Sequence, residues 1–253
     1  MLRTMRIIAV TALVLALHPG VAMADEAMAD EAMAECHTTI VSSAMSPQKI
    51  VVGVGAPKTS TFTVELDNNC DSPTVEVNLA GAVFPVGMHV TMDAGTAHGN
   101  NRYTFTGKTS WGATDLTDVR AAGSWISYID ANSDNGPFVS APGVPFTLVR
   151  ASSITLRPSA SAVEKGAYVN IRGSLQRADW SSTANDSYGG RRVDLQRKPT
   201  GGAYATIGTV RSMSDGSVFS TVNADQDSCY RLLYKGNATT DGATSPAQCV
   251  QVG

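Results

Sequence analysis

The chain has 253 residues, of which 43% are hydrophobic, 6% aromatic and 16% charged, and its formal net charge is −3. That balance excludes the basic footprint that non-specific nucleic-acid binding needs, and a mildly acidic surface has no attraction for anionic lipid. Many Gly, Ser, Thr and Asn residues, with no long amphipathic helix pattern beyond the first residues, favour short strands and turns.

Taken in order, Arg3 and Arg6 precede an apolar run at 7–17, and Ala22-Met23-Ala24 follows Pro19-Gly20. This order of charge, apolar length and small residues predicts a signal peptide over 1–24. A short buried helix is the competing reading, and the run is too short for a membrane span, which needs about 20 apolar residues. Cleavage removes Arg3 and Arg6, so 17 of the 19 Lys and Arg remain against 22 Asp and Glu, a formal charge of −5. Residues 25–35 read DEAMADEAMAE and are expected to form a frayed acidic extension, too short for a stable isolated helix.

Four cysteines follow, Cys36, Cys70, Cys229 and Cys249. An even number in an exported chain reads as disulfides, and three pairings are possible. Cys36–Cys70 with Cys229–Cys249 is preferred, because each then closes a loop inside one expected domain. A four-thiolate zinc site is the alternative use, but no Cys-x-x-Cys spacing supports it.

The remaining length fits two domains, 36–151 and 152–253. In the first, alternating or apolar runs predict strands at 38–44, 50–54, 59–66, 75–79, 89–92, 102–109 and 122–129, with a closing strand through Val144, Phe146 and Leu148. Phe62, Val64 and Leu66 should face inward. Around Trp125 both faces carry large residues, so the inward face there stays open.

In the second, strands are expected at 154–156, 167–173 and 175–180, followed by a polar loop at 181–190. The stretch 188–222 is the clearest in the chain. Three alternating runs, 193–197, 204–210 and 218–222, are separated by PTGG and SDGS, which predicts a three-stranded meander with Val193 and Leu195 inward and Asp194 and Gln196 outward. Tyr230, Leu232 and Tyr234 share one face of the next strand, and 248–252 supplies a final edge strand. The order of runs repeats weakly between the halves. The expected fold class is therefore all-β: two tandem immunoglobulin-like β-sandwich domains after a signal peptide.

The segments LQRADW at 175–180, YGGRRVDLQRKPTGGAYATIGTV at 188–210 and CYRLLYKGNATT at 229–240 resemble the C-terminal Ig-like module of secreted actinobacterial proteins. KIVVGVGAPKTSTFTVEL at 49–66 and WISYIDANSDNG at 125–136 resemble the N-terminal module of the same proteins more loosely. The resemblance implies export and two β-rich modules, mostly without assigned activity, some labelled calcium-binding in a general way. It brings no catalytic residues.

The polar constellations each carry two readings. Asp130, Asn132 and Asp134 alternate in DANSDNG and can act as oxygen ligands for calcium, or as an Asx-rich turn. An EF-hand loop is not matched, since its sixth and twelfth positions fall on Asn135 and Ala141. Asp67, Asp71, Asp215, Asp225 and Asp227 sit in similar turn contexts. His89 and His98 flank Asp93, and a metal or general-base arrangement competes there with ordinary turn positions. No Gly-x-Ser-x-Gly elbow or His-Glu-x-x-His helix accompanies His37, His89 or His98.

Trp111, Trp125 and Trp180 are core residues or a platform for sugar rings. Tyr230 or Tyr234 can make a tyrosine-corner contact. Arg191, Arg192, Arg197 and Lys198 form a basic patch that is either a solvated face or a contact for an anionic envelope polymer. With no catalytic set and no required cofactor, the expected function is a secreted, extracellular, non-enzymatic binding or envelope-associated protein. It should be a monomer without a membrane span or nucleic-acid partner. The alternatives are a calcium-stabilised structural protein and a secreted hydrolase with a loop-borne site.

Overall fold

Successive side chains in a strand point to opposite faces, so an apolar alternation buries one face and needs a second sheet to cover it. The computed structural model describes residues 36–81 and 88–253; the leader and acidic extension expected at 1–35 lie outside them. In the first half, nine strands among the described residues follow in order. They are β1 (Thr38–Ser46), β2 (Lys49–Val52), β3 (Lys58–Asn68), β4 (Asp71–Gly81), β5 (Met88–Val90), β6 (Thr96–Gly99), β7 (Arg102–Trp111), β8 (Gly123–Asp134) and β9 (Val139–Arg150).

One sheet runs β1-β3-β7-β6 and the other β2-β9-β8-β4-β5. These are the ABED and GFC layers of an immunoglobulin sandwich, with an added C′ strand and with β2 running parallel to β9. A short helix, α1 (Ala113–Leu116), and a 3-10 turn at Val119–Ala121 carry the chain from β7 to β8.

Burial settles the face left open around Trp125. Trp125, Ser127, Ile129, Ala131 and Ser133 point inward along β8. Trp125 stacks on Phe146 at 5.9 Å between ring centroids and meets Trp111 edge-on at 5.8 Å. Each buried indole keeps a partner: Trp111 donates to Ser60 Oγ (3.0 Å) and Trp125 to the Ala121 carbonyl (2.8 Å).

The second half repeats the plan with β10 (Ser152–Ile154), β11 (Arg157–Pro158), β12 (Ala162–Val163), β13 (Ala167–Asp179), β14 (Ala184–Ser187), β15 (Arg192–Pro199), β16 (Ala205–Arg211), β17 (Ser217–Ala224), β18 (Ser228–Tyr234), β19 (Ala243–Thr244) and β20 (Gln248–Val252). The long β13 organises one sheet, pairing with β10 and β11 and also with β17 and β14. The other sheet runs β12-β20-β18-β15-β16. The five-strand layer β2-β9-β8-β4-β5 has its counterpart in β12-β20-β18-β15-β16, whereas the facing layer differs, with β14 on β13 and, among the described residues, no partner for β17 in the place that β6 takes beside β7. The described chain is an all-β protein built as Ig-like sandwiches.

The expected meander is corrected here. β15 and β16 form a hairpin, but β17 crosses to the opposite layer and pairs with β13, from Ala167↔Ala224 to Ser174↔Ser217. β15 takes β18 as its other neighbour instead. A two-sided sandwich offers each apolar run two sheets to join, and alternation gives the inward face without giving the layer. The polar loop at 181–190 is corrected too, since it contains β14, paired along the end of β13.

Each half has its own apolar core. Phe62, Leu66, Leu79, Trp111, Trp125 and Leu148 anchor the first, and Ile171, Leu175, Val193, Leu195, Tyr230 and Leu232 the second. Trp180, at the end of β13, packs into the first core rather than the second. Its indole donates to the Val52 carbonyl (3.2 Å), which also accepts from Ala151 N (2.9 Å).

Beside it the Arg150 side chain is buried, donating to the Ala178 carbonyl (2.6 Å) and pairing with Asp179 (3.2 Å). Arg150 N and O bond Thr239 O and Asp241 N, Ser152 Oγ donates to Asp241 O, and Lys49 pairs with the Asp241 carboxylate. The halves are therefore joined by a web of contacts, and Cys36–Gly253 forms one compact unit.

Candidate functional site

A polar concavity lies in the second half, between the start of β15 and the turn that follows β18. It encloses about 530 Å³ and is lined by Gly190, Arg191, Arg192, Asp194, Leu233, Tyr234, Lys235, Gly236 and Asn237, a volume in the usual range for small-ligand sites. Pairing of β15 with β18 brings Asp194 opposite Leu233, so residues some forty positions apart share one wall. Gly236 adopts φ +82° there, with Gly242 N and Thr240 O only 2.8 Å from where a Cβ would stand. Only glycine fits that turn.

The wall is pinned by hydrogen bonds. Arg191 N donates to Ser212 Oγ (3.0 Å) and Ser212 N to Arg191 O (2.9 Å). Asp194 is buried although it sits at an expected outward position, because Lys235 Nζ (2.9 Å) and Thr209 Oγ1 (2.9 Å) satisfy its two oxygens. The Lys235 hydrogen bond is the main cause that holds its carboxyl below the usual carboxylate range, with Thr209 and the charge of Arg192 also lowering it.

Behind the wall, the Tyr188 ring has the Arg177 and Arg191 guanidinium carbons 4.0 and 4.4 Å from its centroid. The Tyr188 hydroxyl accepts from Asn237 Nδ2 (2.9 Å) and Thr240 Oγ1 (3.4 Å). Burial opposes its ionisation, but the hydrogen bonds from Thr240, the Tyr234 hydroxyl and Asn237, with the charge of nearby Arg177, outweigh burial and lower its pKa from the ordinary tyrosine value. The neighbouring Tyr234 goes the other way, pushed up chiefly by burial and then by the Tyr188 phenol.

Arg191 Nε is buried without a hydrogen-bond partner, while the buried Tyr234 hydroxyl is directed at the Tyr188 phenol. Neither Arg191 nor Arg192 has a carboxylate within ion-pair distance among the described residues.

The structure separates the basic patch read from the sequence. Arg191 and Arg192 stand at the cavity, whereas Arg197 and Lys198 lie at the far end of β15, where Arg197 pairs with Asp225 (2.9 Å) and Lys198 approaches the Tyr204 ring. All three tryptophans are interior, with 0%, 3% and 1% exposure for Trp111, Trp125 and Trp180, so they offer no platform to a sugar. Tyr230 and Tyr234 both face the second core.

Asp130, Asn132 and Asp134 do not sit on a turn. β8 runs through them and places all three on its outward face in a row. Asp130 accepts from Asn78 Nδ2 (2.8 Å) and Ser140 Oγ (2.6 Å), and Asn132 Oδ1 accepts from Ser133 N (3.0 Å). Across the sheet Glu76 faces Asp130 and Asp71 faces Asp134, giving an acidic surface. Among the described residues no group of three or more His, Cys, Asp or Glu is placed to hold a metal ion. The turn proper is Asn135-Gly136, and a Cβ on Gly136 would stand 2.7 Å from Cys70 Sγ.

Cys36 is bonded to Cys70 ahead of β1, and Cys229 to Cys249 across the β18–β20 pair. His37 contacts Asp67 (3.2 Å) on an exposed edge, His98 contacts Thr104 (2.9 Å), and Asp93 accepts from the backbone of Gly95 and Thr106. The other acidic turn residues shape backbone, as with Asp215 bonded to Ser217 N and Asp227 to Val252 N. Sequence reasoning missed the roles of Asp194, Tyr188, Tyr234 and Lys235 in the cavity. The available signal was the Arg191-Arg192 pair in an acidic chain, and nothing local tied it to residues 234–237.

No family model and no curated protein matches the chain. Among solved structures it is similar to the Yersinia pseudotuberculosis adhesin InvE, at 12% identity over 84% of this chain and 58% of that one, with TM-score 0.29. It is also similar to the fibronectin(III)-like modules of Clostridium thermocellum CbhA (15% identity, 85% and 92% covered, TM-score 0.32). Murine CEACAM1b gives 10% identity, 85% and 99% covered, and TM-score 0.38. Superposition at this level carries nothing about function, and the class, an Ig-like β-sandwich protein, rests on the strand order described above.

Proposed function

We propose that this chain is a secreted, extracellular, non-enzymatic binding protein, with 36–151 and 152–253 acting as its two domains and the second presenting the ligand cavity. The observation that carries the reading is the cavity itself: a pinned, polar, positively charged concavity in a chain whose overall charge is negative. Export is supported by the leader pattern at 1–24 and by two disulfides, which persist in oxidising compartments. Kinship with the secreted actinobacterial pairs is supported by the segments at 175–180, 188–210 and 229–240.

The experiment is retention of the disulfide-intact chain on isolated actinobacterial cell envelope and on extracellular polysaccharides. Retention above a charge-matched control protein is expected. Equal passage of both would remove the proposal.

A further inference from the structure

We infer that the cavity between the start of β15 and the turn after β18 takes an anionic, sugar-sized unit, a carboxylate or phosphate carried on a hydrophilic polymer. This rests on the binding reading above and names its ligand class. Hydrogen-bond acceptors and cationic donors on the wall are unequally committed. The acceptors are committed: Asp194 to Lys235 and Thr209, the Gly190 carbonyl to Arg211 Nη1 (2.9 Å), and Asn237 Oδ1 to Thr239 N (2.9 Å).

What is left over are donors. Arg191 and Arg192 have no carboxylate, and the Arg191 Nε has no hydrogen-bond partner. Guanidinium groups without a counter-ion favour a guest that carries acceptor oxygens. Three cations against one carboxylate make that guest an anion, and a planar guanidinium matches carboxylate and phosphate oxygens geometrically.

Leu233 is the single aliphatic side chain of the lining, so the guest is hydrophilic. Arg192 also borders an adjoining hollow with Thr209, Val210 and Arg211. A polymer with repeating charges can therefore continue from one basic position to the next.

The test is titration of the disulfide-intact chain with polygalacturonate oligomers, with a glycerol-phosphate polymer and with neutral dextran. Binding to either or both anionic polymers, weakening as salt rises, is the expected result, and the arm that binds identifies the source of the charge. Arg191→Gln/Arg192→Gln should weaken binding about tenfold or more. Arg192→Gln alone, at an exposed position, should show a smaller loss in the same direction without altering the fold. Arg197→Gln/Lys198→Gln removes equal charge at the far end of β15 and should change little.

Equal binding of dextran, or equal weakening by the far-end pair, would overturn the inference. Retention on envelope that survives Arg191→Gln/Arg192→Gln would overturn it while leaving the binding proposal standing. Absence of all retention would remove both.

Discussion

The indole nitrogen of Trp180 donates to the carbonyl of Val52, 3.2 Å away and 128 residues earlier in the chain. Trp180 belongs by sequence to the second half, yet it is buried among side chains of the first. Truncating it to Ala should therefore destabilise both halves together, by about 3–5 kcal/mol as for other buried aromatic-to-alanine changes. Urea unfolding followed by near-ultraviolet circular dichroism checks this, and a loss confined to one of two separate transitions would contradict it.

Arg150 is 4% exposed and its counter-ion Asp179 is partly open to water. Burial, followed by the charge of Arg177, weakens the hold of Arg150 on its proton. Asp179→Asn should consequently cost more than Arg150→Met, about 1–3 kcal/mol, because it leaves a buried guanidinium without its counter-charge. Paired urea midpoints for the two variants decide the order.

Acid should act through Asp194. Its folded pKa lies below the unfolded value of about 3.9, so its contribution is full above that value and is lost as pH falls through the folded one. Melting temperatures measured from neutral pH to about pH 3 should fall less steeply for Asp194→Asn than for the parent. At neutral pH the variant should melt lower.

Alkali should act through Tyr234, whose pKa is raised by burial. The stability linked to it is intact below the unfolded value of about 10 and is lost as pH climbs above that. Tyr234→Phe should flatten the alkaline loss and, since the hydroxyl faces only the Tyr188 phenol, cost about 1 kcal/mol or less at pH 7. Chemical denaturation at pH 7 and above pH 10 tests both statements.

Cys229 and Cys249 stand directly opposite on β18 and β20 and close a loop with a sequence separation of 20. Cys229→Ser/Cys249→Ser should cost about 3 kcal/mol by the chain-entropy estimate. The Lys235 and Tyr234 side of the cavity sits at the end of β18, so the same variant should also weaken ligand retention. Guanidinium unfolding and the envelope assay read the two effects separately.

Period-two alternation made most strands legible, since Phe62, Val64 and Leu66 or Tyr230, Leu232 and Tyr234 have one face each to bury. Alternation does not encode which layer a strand joins, and so the run at 218–222 read as a neighbour of β16 when it pairs with β13. It also fails where polar residues fill outward positions. Asp130, Asn132 and Asp134 have turn composition, yet buried Ile129, Ala131 and Ser133 between them keep the chain extended. The cavity was half legible. Arg191 and Arg192 stood out as charge, but Asp194, Tyr234 and Lys235 reach them only through the β15–β18 pairing, a long-range fact that no local pattern contains.

The place where β13 ends has a practical consequence for anyone cutting this protein. A fragment stopping at Ala151 would keep a socket with no indole to fill it, and the complementary piece would hold Trp180 out to water. Neither half is a portable block that gene shuffling could move intact, because the seam between them runs through the last residues of a strand as well as through the peptide that links them.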